Sequence, residues 1–285
     1  MEKLRVIFIV AAIGLVTPPL MLLQVVFLAL KLPLAKWLPV AYHRFVCRVM
    51  GVRITVQGAP SRMRPLLLAS NHISWLDIPV ISAVAPVSFI AKSEVAGWPV
   101  IGWLAKLQRS VFVARERRSQ TGVITRHIAD RLGRGDAMLL FPEGTTSDGN
   151  RIRTFRSALV GAAEALVADG GDGAAIHIQP MALAYTRING LPLGRQHRPL
   201  IAWHGDQTLG PHLWRLLRSG PVDVTVSFGE PMAVADSAGR KQITVAAQAA
   251  VGELFATALY GHPAQGIVVV SAEDAEAEET TAATQ

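Results

Sequence analysis

Between Arg5 and Lys31 no residue is charged. At 1.5 Å of rise per helical residue that run reaches roughly 37 Å, enough for a hydrocarbon core of about 30 Å. The pattern predicts a membrane-anchoring helical segment. Pro18 and Pro19 stand in its middle, where missing amides and ring clashes kink a helix or turn it back as a re-entrant hairpin. A cleaved signal peptide is the rival reading, with Lys3 and Arg5 as its basic flank. The apolar run is too long for one, and no small-x-small site closes it. From Leu34 to Met50 apolar residues recur at helical spacing (Leu34, Trp37, Leu38, Ala41, Phe45, Met50), interrupted by His43, Arg44 and Arg48. That is the pattern of a helix lying at a membrane interface, or of an ordinary amphipathic core helix.

Beyond Gly51 the period changes. Short β-type runs are expected at Arg53–Gln57, Leu66–Ser70, Val87–Ala91, Ser110–Val113, Ala137–Phe141, Ile176–Tyr185, Leu200–Trp203 and Val222–Phe228. They alternate with helical runs such as Gly122–Leu132, Ala158–Ala168 and Lys241–Ala258, which argues for an α/β domain. No internal repeat and no second domain is visible. From about Ser271 the chain is rich in Ala, Glu and Thr; it lacks the apolar surface that offsets ordering entropy, so a disordered tail is expected.

Composition sharpens this picture. Hydrophobic residues make up 51% and charged residues 17% of the 285, which excludes a largely disordered chain. The net charge is +7, but the last fifteen residues hold five acids and no base, leaving +12 on the preceding 270. A basic body fits nucleic acid or an anionic membrane, and the apolar excess favours the membrane. Lys3 and Arg5 on one flank of the apolar run, against Lys31, Lys36, Arg44 and Arg48 on the other, lean toward a cytoplasmic body. The single cysteine, Cys47, forbids an internal disulfide.

Two strand ends carry candidate chemistry. After Leu66–Ser70 comes Asn71-His72-Ile73-Ser74-Trp75-Leu76-Asp77. Five residues is the wrong offset for one helix face, so His72 and Asp77 meet only if the chain turns between them. Once met, a carboxylate on one ring nitrogen leaves the other free to take a proton from a hydroxyl. After Ala137–Phe141 comes Pro142-Glu143-Gly144-Thr145-Thr146-Ser147, a tight loop whose amides around Gly144 are candidates to meet an oxyanion. Val111–Val113 delivers Arg115 near its end, where a planar fork can hold phosphate or carboxylate. There is no G-x-S-x-G elbow, no HExxH and no histidine four residues after His72, so serine-hydrolase and metal readings lack their residues. A non-enzymatic lipid-binding protein would keep the anchor and basic face without needing the His–Asp pair. A nucleic-acid binder would not need the apolar N-terminus.

In order along the chain, Asn71-His72 with Asp77, then Phe112 to Arg115, then Phe141-Pro142-Glu143-Gly144-Thr145, then Ile178-Gln179-Pro180-Met181-Ala182 resemble the four sequence blocks of the glycerolipid acyltransferases, the 1-acylglycerol-3-phosphate O-acyltransferase family. The resemblance spans roughly residues 50–230. It implies a mixed sheet flanked by helices, with His72 and Asp77 as catalytic dyad. It also implies that Arg115, Glu143 and Gly144, with Asn71 and Thr145 beside them, bind the acceptor head. The donor it implies is an acyl thioester of acyl carrier protein or coenzyme A, with no cofactor and no metal. The second block of the family often opens with glycine three residues before its phenylalanine, where Arg109 stands here. The stretch Ala184–Pro199 with Trp203-His204-Gly205-Asp206 further resembles the bacterial lyso-ornithine lipid O-acyltransferase subgroup. Its Arg187, Arg195 and Arg198 suit a carboxylate as well as a phosphate, so charge alone leaves ornithine-lipid and phosphatidic-acid synthesis both open. The expected organisation is an anchor and interfacial helix at 1–50, a catalytic domain at 51–265 and an acidic tail at 266–285. Membrane lipids and acyl carrier protein are the expected partners, nucleic acid is not, and the expected site is the cytoplasmic side of a bacterial inner membrane.

Overall fold

The central strands are the most apolar runs of the chain beyond its N-terminal segment. In the computed structural model, which describes residues 2–113, 128, 130–156, 176–234 and 240–261, they form the middle of one sheet. Strands β1 (Val52–Gln57), β2 (Leu66–Ser70), β3 (Val87–Lys92), β4 (Val111–Val113), β5 (Ala137–Leu140), β6 (His177–Ile188) and β8 (Val222–Phe228) run in the order β1-β8-β6-β2-β5-β3-β4. The short β7 (Leu191–Pro192) and β9 (Met232–Ala233) pair with β6. β2 is parallel to β5 and β6, whereas β6 and β8 are antiparallel, so the sheet is mixed. Every residue of β2 and β5 is buried, because helices cover both faces and leave no polar side to alternate with. On β6, Tyr185 reaches toward α3 (Asp77–Val84), while Pro180, of opposite parity, lies beside Gly229, which Leu254 of α6 (Arg240–Tyr260) also approaches. α6 buries Ala247, Val251 and Phe255, four residues apart, and is thereby a core helix although it is long and apolar enough to cross a membrane.

The N-terminal segment is one continuous helix, α1 (Glu2–Ala29), that runs through Pro18 and Pro19 instead of turning back. The hydroxyl of Thr17 braces the weakened turn, donating to the Ile13 carbonyl at 2.7 Å and lying 2.8 Å from the Tyr42 hydroxyl. α1 is tied to the body along its whole length. Glu2 pairs with Arg218; Arg5 donates to the carbonyls of Met50 and Leu217; Gln24 donates to those of Ala35 and Leu107. One stripe, with Val6 and Ile9, enters the core, while Leu4, Ile7, Phe8, Leu15 and Leu22 are exposed. Beyond it, α2 (Leu38–Met50) buries Val40, Val46, Cys47 and Met50. It is a core helix by that set, and Leu34 and Trp37, expected on its interfacial face, stay exposed in the turn before it.

Other expectations change in detail. Leu200–Trp203 is not a strand: Arg198–Leu200 forms a 3-10 turn and the chain then runs irregularly beneath the residue-72 loop. Its apolar character comes from burial as a loop, with Ile201 and Ala202 at 0% exposure. The short α4 (Ile101–Leu107) lies between β3 and β4, and an unexpected amphipathic helix, α5 (Leu209–Ser219), follows the 3-10 turn and packs on α1. The expected helix Ala158–Ala168 and the acidic tail lie outside the described residues, as does most of Gly122–Leu132.

Candidate active site

The C-terminal ends of β2 and β5 are adjacent because the two strands are parallel, Leu66 opposite Ala137 and Ala69 opposite Leu140. Loops that leave them therefore meet above the sheet edge. After β2 the chain turns at Ser74, whose carbonyl accepts the Asp77 amide at 3.1 Å, and α3 begins. That turn cancels the five-residue offset. His72 Nδ1 lies 2.7 Å from Asp77 Oδ2, which also accepts the Ile73 and Ser74 amides at 2.7 and 2.9 Å. The other oxygen, Oδ1, accepts the Tyr185 hydroxyl at 2.7 Å. A carboxylate at 0% exposure is thus held by dipoles, with an imidazole as its one ionisable partner of opposite charge among the described residues. Burial first, and the negative Asp77 second, push the Tyr185 hydroxyl well above its ordinary range, so it remains a donor.

The imidazole is fixed from three sides. Its ring stacks on Phe141 with centroids 3.9 Å apart and planes 11° from parallel. Its amide donates to Glu143 Oε1 at 3.2 Å, and its carbonyl accepts the Ser147 amide at 2.8 Å. With the His72 side chain 20% exposed and Nδ1 committed to Asp77, Nε2 has no partner among the described residues. A base with one nitrogen oriented by a buried acid and the other open is equipped to take a proton from a hydroxyl. Cys47 is no rival nucleophile, since burial pushes its thiol up to about 12.

A model of the acyltransferase family matches residues 53–184. The chain is 49% identical over 258 residues to a lyso-ornithine lipid O-acyltransferase of Brucella abortus, covering 90% of this chain and 96% of that one. It is 48% identical over 225 residues to one of Rhizobium meliloti, with 79% and 77% covered. The chain belongs to the acyltransferase family. Its fold is that of the 1-acyl-sn-glycerophosphate acyltransferase PlsC of Thermotoga maritima, with a TM-score of 0.60 at 18% identity over 88% of this chain and 95% of the other.

Within this acyltransferase the expected head-group residues divide. Asn71 is 1% exposed and closes both of its amide ends on β6, donating to the Leu183 carbonyl at 3.0 Å and accepting its amide at 2.8 Å. It staples the loop to the sheet, and at 1% exposure it offers almost no surface to a ligand. Glu143 is 2% exposed and holds the His72 amide from below, its Oε2 buried without a hydrogen bond. Burial pushes its carboxyl well above the usual range, with Asp77 adding to the rise. The Gly144 amide closes the turn on Phe141 at 3.1 Å rather than standing open, and the left-handed φ of 74° there suits glycine. Thr145 follows, half-buried. Arg115 lies outside the described residues. Arg109 also has a left-handed φ, 62°, the conformation glycine adopts without strain; its guanidinium turns away from the site to Asp136 at 2.9 Å. Sequence reasoning missed Tyr185 and the Phe141 stack. A tyrosine closing the apolar run Met181–Ala184 of a central strand was the available signal, because a buried phenol must find a partner.

Proposed function

We propose that the protein is a membrane-bound O-acyltransferase that moves a fatty acyl group from a thioester of acyl carrier protein or coenzyme A to the 3-hydroxyl of lyso-ornithine lipid. The 2.7 Å contact between His72 Nδ1 and Asp77, with Nε2 open, carries this reading. His72 Nε2 takes the hydroxyl proton as the oxygen attacks the thioester carbonyl. The tetrahedral intermediate then collapses, the C–S bond breaks, and the leaving sulfur receives the proton from the imidazolium. Asp77 holds the ring in the Nδ1–H tautomer and stabilises that imidazolium. The acyl donor stays covalently intact until the acceptor attacks, and no protein ester forms.

The stripe of exposed apolar residues on α1, opposite its tethered stripe, supports a helix lying against the bilayer beside the body. Residues 51–265 form the catalytic domain on the cytoplasmic face of a bacterial inner membrane. The lysolipid acceptor then reaches His72, and the product departs, without leaving lipid, a step that at about 0.8 kcal/mol per buried methylene would be slow for a long chain. The relatives named as lyso-ornithine lipid O-acyltransferases at 49% and 48% identity support the acceptor. Incubating membranes that carry the protein with labelled acyl thioester and either lyso-ornithine lipid or lysophosphatidic acid tests it. Labelled ornithine lipid, absent from His72→Ala membranes, is the expected product. Label in phosphatidic acid alone would replace the acceptor.

A further inference from the structure

Of the three arginines in the Ala184–Pro199 stretch, Arg187 and Arg195 are exposed, whereas Arg198 is only 7% exposed. Its guanidinium forms no ion pair among the described residues. Nη1 donates to Asn150 Oδ1 at 3.3 Å and to the Tyr260 hydroxyl at 3.2 Å, the Tyr260 ring lies 5.5 Å from Cζ, and Nε is buried without a hydrogen bond. Neutral acceptors and a ring face compensate a desolvated cation poorly, so such a group favours an anion. The site is next to the chemistry. A Cβ on Gly149 would meet Ile73 Cγ2 at 3.3 Å and Arg198 Cβ at 3.5 Å, so only this glycine separates the guanidinium's stem from the residue after His72. The Trp203 amide, five residues on, donates to the Ile73 carbonyl at 2.9 Å.

A carboxylate stands on the other side of the same asparagine. Asp148 accepts the Asn150 amide at 3.0 Å and its Nδ2 at 3.2 Å, and forms no ion pair among the described residues. Burial pushes this acid up, but the Asn150 hydrogen bonds, with Arg151 and His204 nearby, more than offset it and keep it ionised. Asn150 thus separates one unpaired cation from one unpaired anion.

We infer that Arg198 and Asp148 clamp a zwitterionic amino-acid head group, Arg198 taking its carboxylate and Asp148 its ammonium. This rests on the proposed acceptor: an amide on the α-nitrogen of ornithine leaves the α-carboxylate and the side-chain ammonium free. A phosphate monoester has no cation for Asp148 and sets like charges together, so the same pair selects against lysophosphatidic acid. Arg198 is the cation suited to carboxylate in a bidentate fork.

The full-length protein in mixed micelles, wild type and Arg198→Gln, is assayed with lyso-ornithine lipid and with its α-carboxamide, which keeps the ammonium and the reacting hydroxyl. Wild type should lose about 10- to 100-fold in kcat/KM on the carboxamide, the range of a hydrogen-bonded charge. Arg198→Gln should lose about as much on the acid and little more on the carboxamide, with Arg198→Lys in between. Equal losses by the variant on both lipids mean a structural role and overturn the assignment. If Arg198→Gln does not fold, wild type alone decides: equal use of acid and carboxamide overturns the clamp while the acceptor stands. Wild type that acylates neither, yet acylates lysophosphatidic acid, removes the acceptor and the clamp together. In Asp148→Asn, the ratio of lysophosphatidic acid to lyso-ornithine lipid turnover should rise; an unchanged ratio removes the ammonium half.

Discussion

Two buried aspartates sit at opposite ends of the parallel strands, Asp77 after β2 and Asp136 before β5, and the protein treats them in opposite ways. Asp136 is ringed by cations: Lys36 Nζ at 2.8 Å, Arg109 Nη2 at 2.9 Å and Arg131 Nε at 2.7 Å. Burial pushes its carboxyl up, but Lys36 and Arg131 more than offset that and hold it below its ordinary value. Asp77 has two amides, a phenol and an imidazole, and among the described residues no arginine or lysine. Full neutralisation makes the first a strut between α2's approach, β4 and β5. Dipolar solvation leaves the second with its field directed at the His72 ring, the group that becomes positive in the proposed mechanism.

Substitutions separate the two roles. His72→Ala should lower kcat by about 10³-fold or more while leaving the circular dichroism spectrum intact, the scale of a lost general base. Asp77→Asn should act similarly, because an amide cannot serve the ring and both backbone amides as an ionised oxygen does; a variant with wild-type kcat would end the comparison. Asp136→Asn should do the reverse. It strands three cations around a neutral amide and costs about 3–5 kcal/mol in denaturant unfolding, with kcat per folded molecule nearly unchanged. Tyr185→Phe removes one donor from Asp77, an effect of roughly 1.5–3 kcal/mol for a hydrogen bond to a charge. Read as kcat, this is a loss of about tenfold or more, without a matching change in KM.

Glu143 gives the mildest test, through pH. Its folded carboxyl is raised above the ordinary value of 4.5, so the folded state binds more protons than the unfolded one above that pH. Its contribution to stability is complete below 4.5 and declines as pH rises toward the folded value. Glu143→Gln should therefore match wild type in acid and gain on it progressively toward alkaline pH. A gap that narrows with rising pH would mean that the carboxylate is ionised in the folded protein.

Some of this was legible without coordinates. The His72–Asp77 pair follows from local sequence, since a polar turn between an apolar strand and a helix start brings an i and i+5 pair together. The helical N-terminal segment and the buried β2 and β5 follow from apolar runs, and most of α6 from its apolar pattern, whereas the passage of α1 through Pro18 and Pro19 does not. Tyr185 was not legible as a partner of Asp77, because the contact crosses 108 residues and depends on β6 lying parallel to β2 in register. Leu200–Trp203 has a strand's composition, yet the amides of Leu200, Ile201 and Ala202 close on His197 and Arg198 and that of Trp203 goes to Ile73, and a short apolar run does not reveal whether a sheet or a loop will bury it.

The sequence by itself determined most of the elements, the long apolar N-terminal helix and the local His72–Asp77 pair, because these depend on periodicity and on contacts within a few residues. Only the tertiary structure decided which charges are neutralised. Asp136 and Arg131 pair, while Arg198 and Asp148 form no ion pair among the described residues. Partner choice is set by which distant strands and loops share an end of the sheet, and no spacing along the chain encodes that directly.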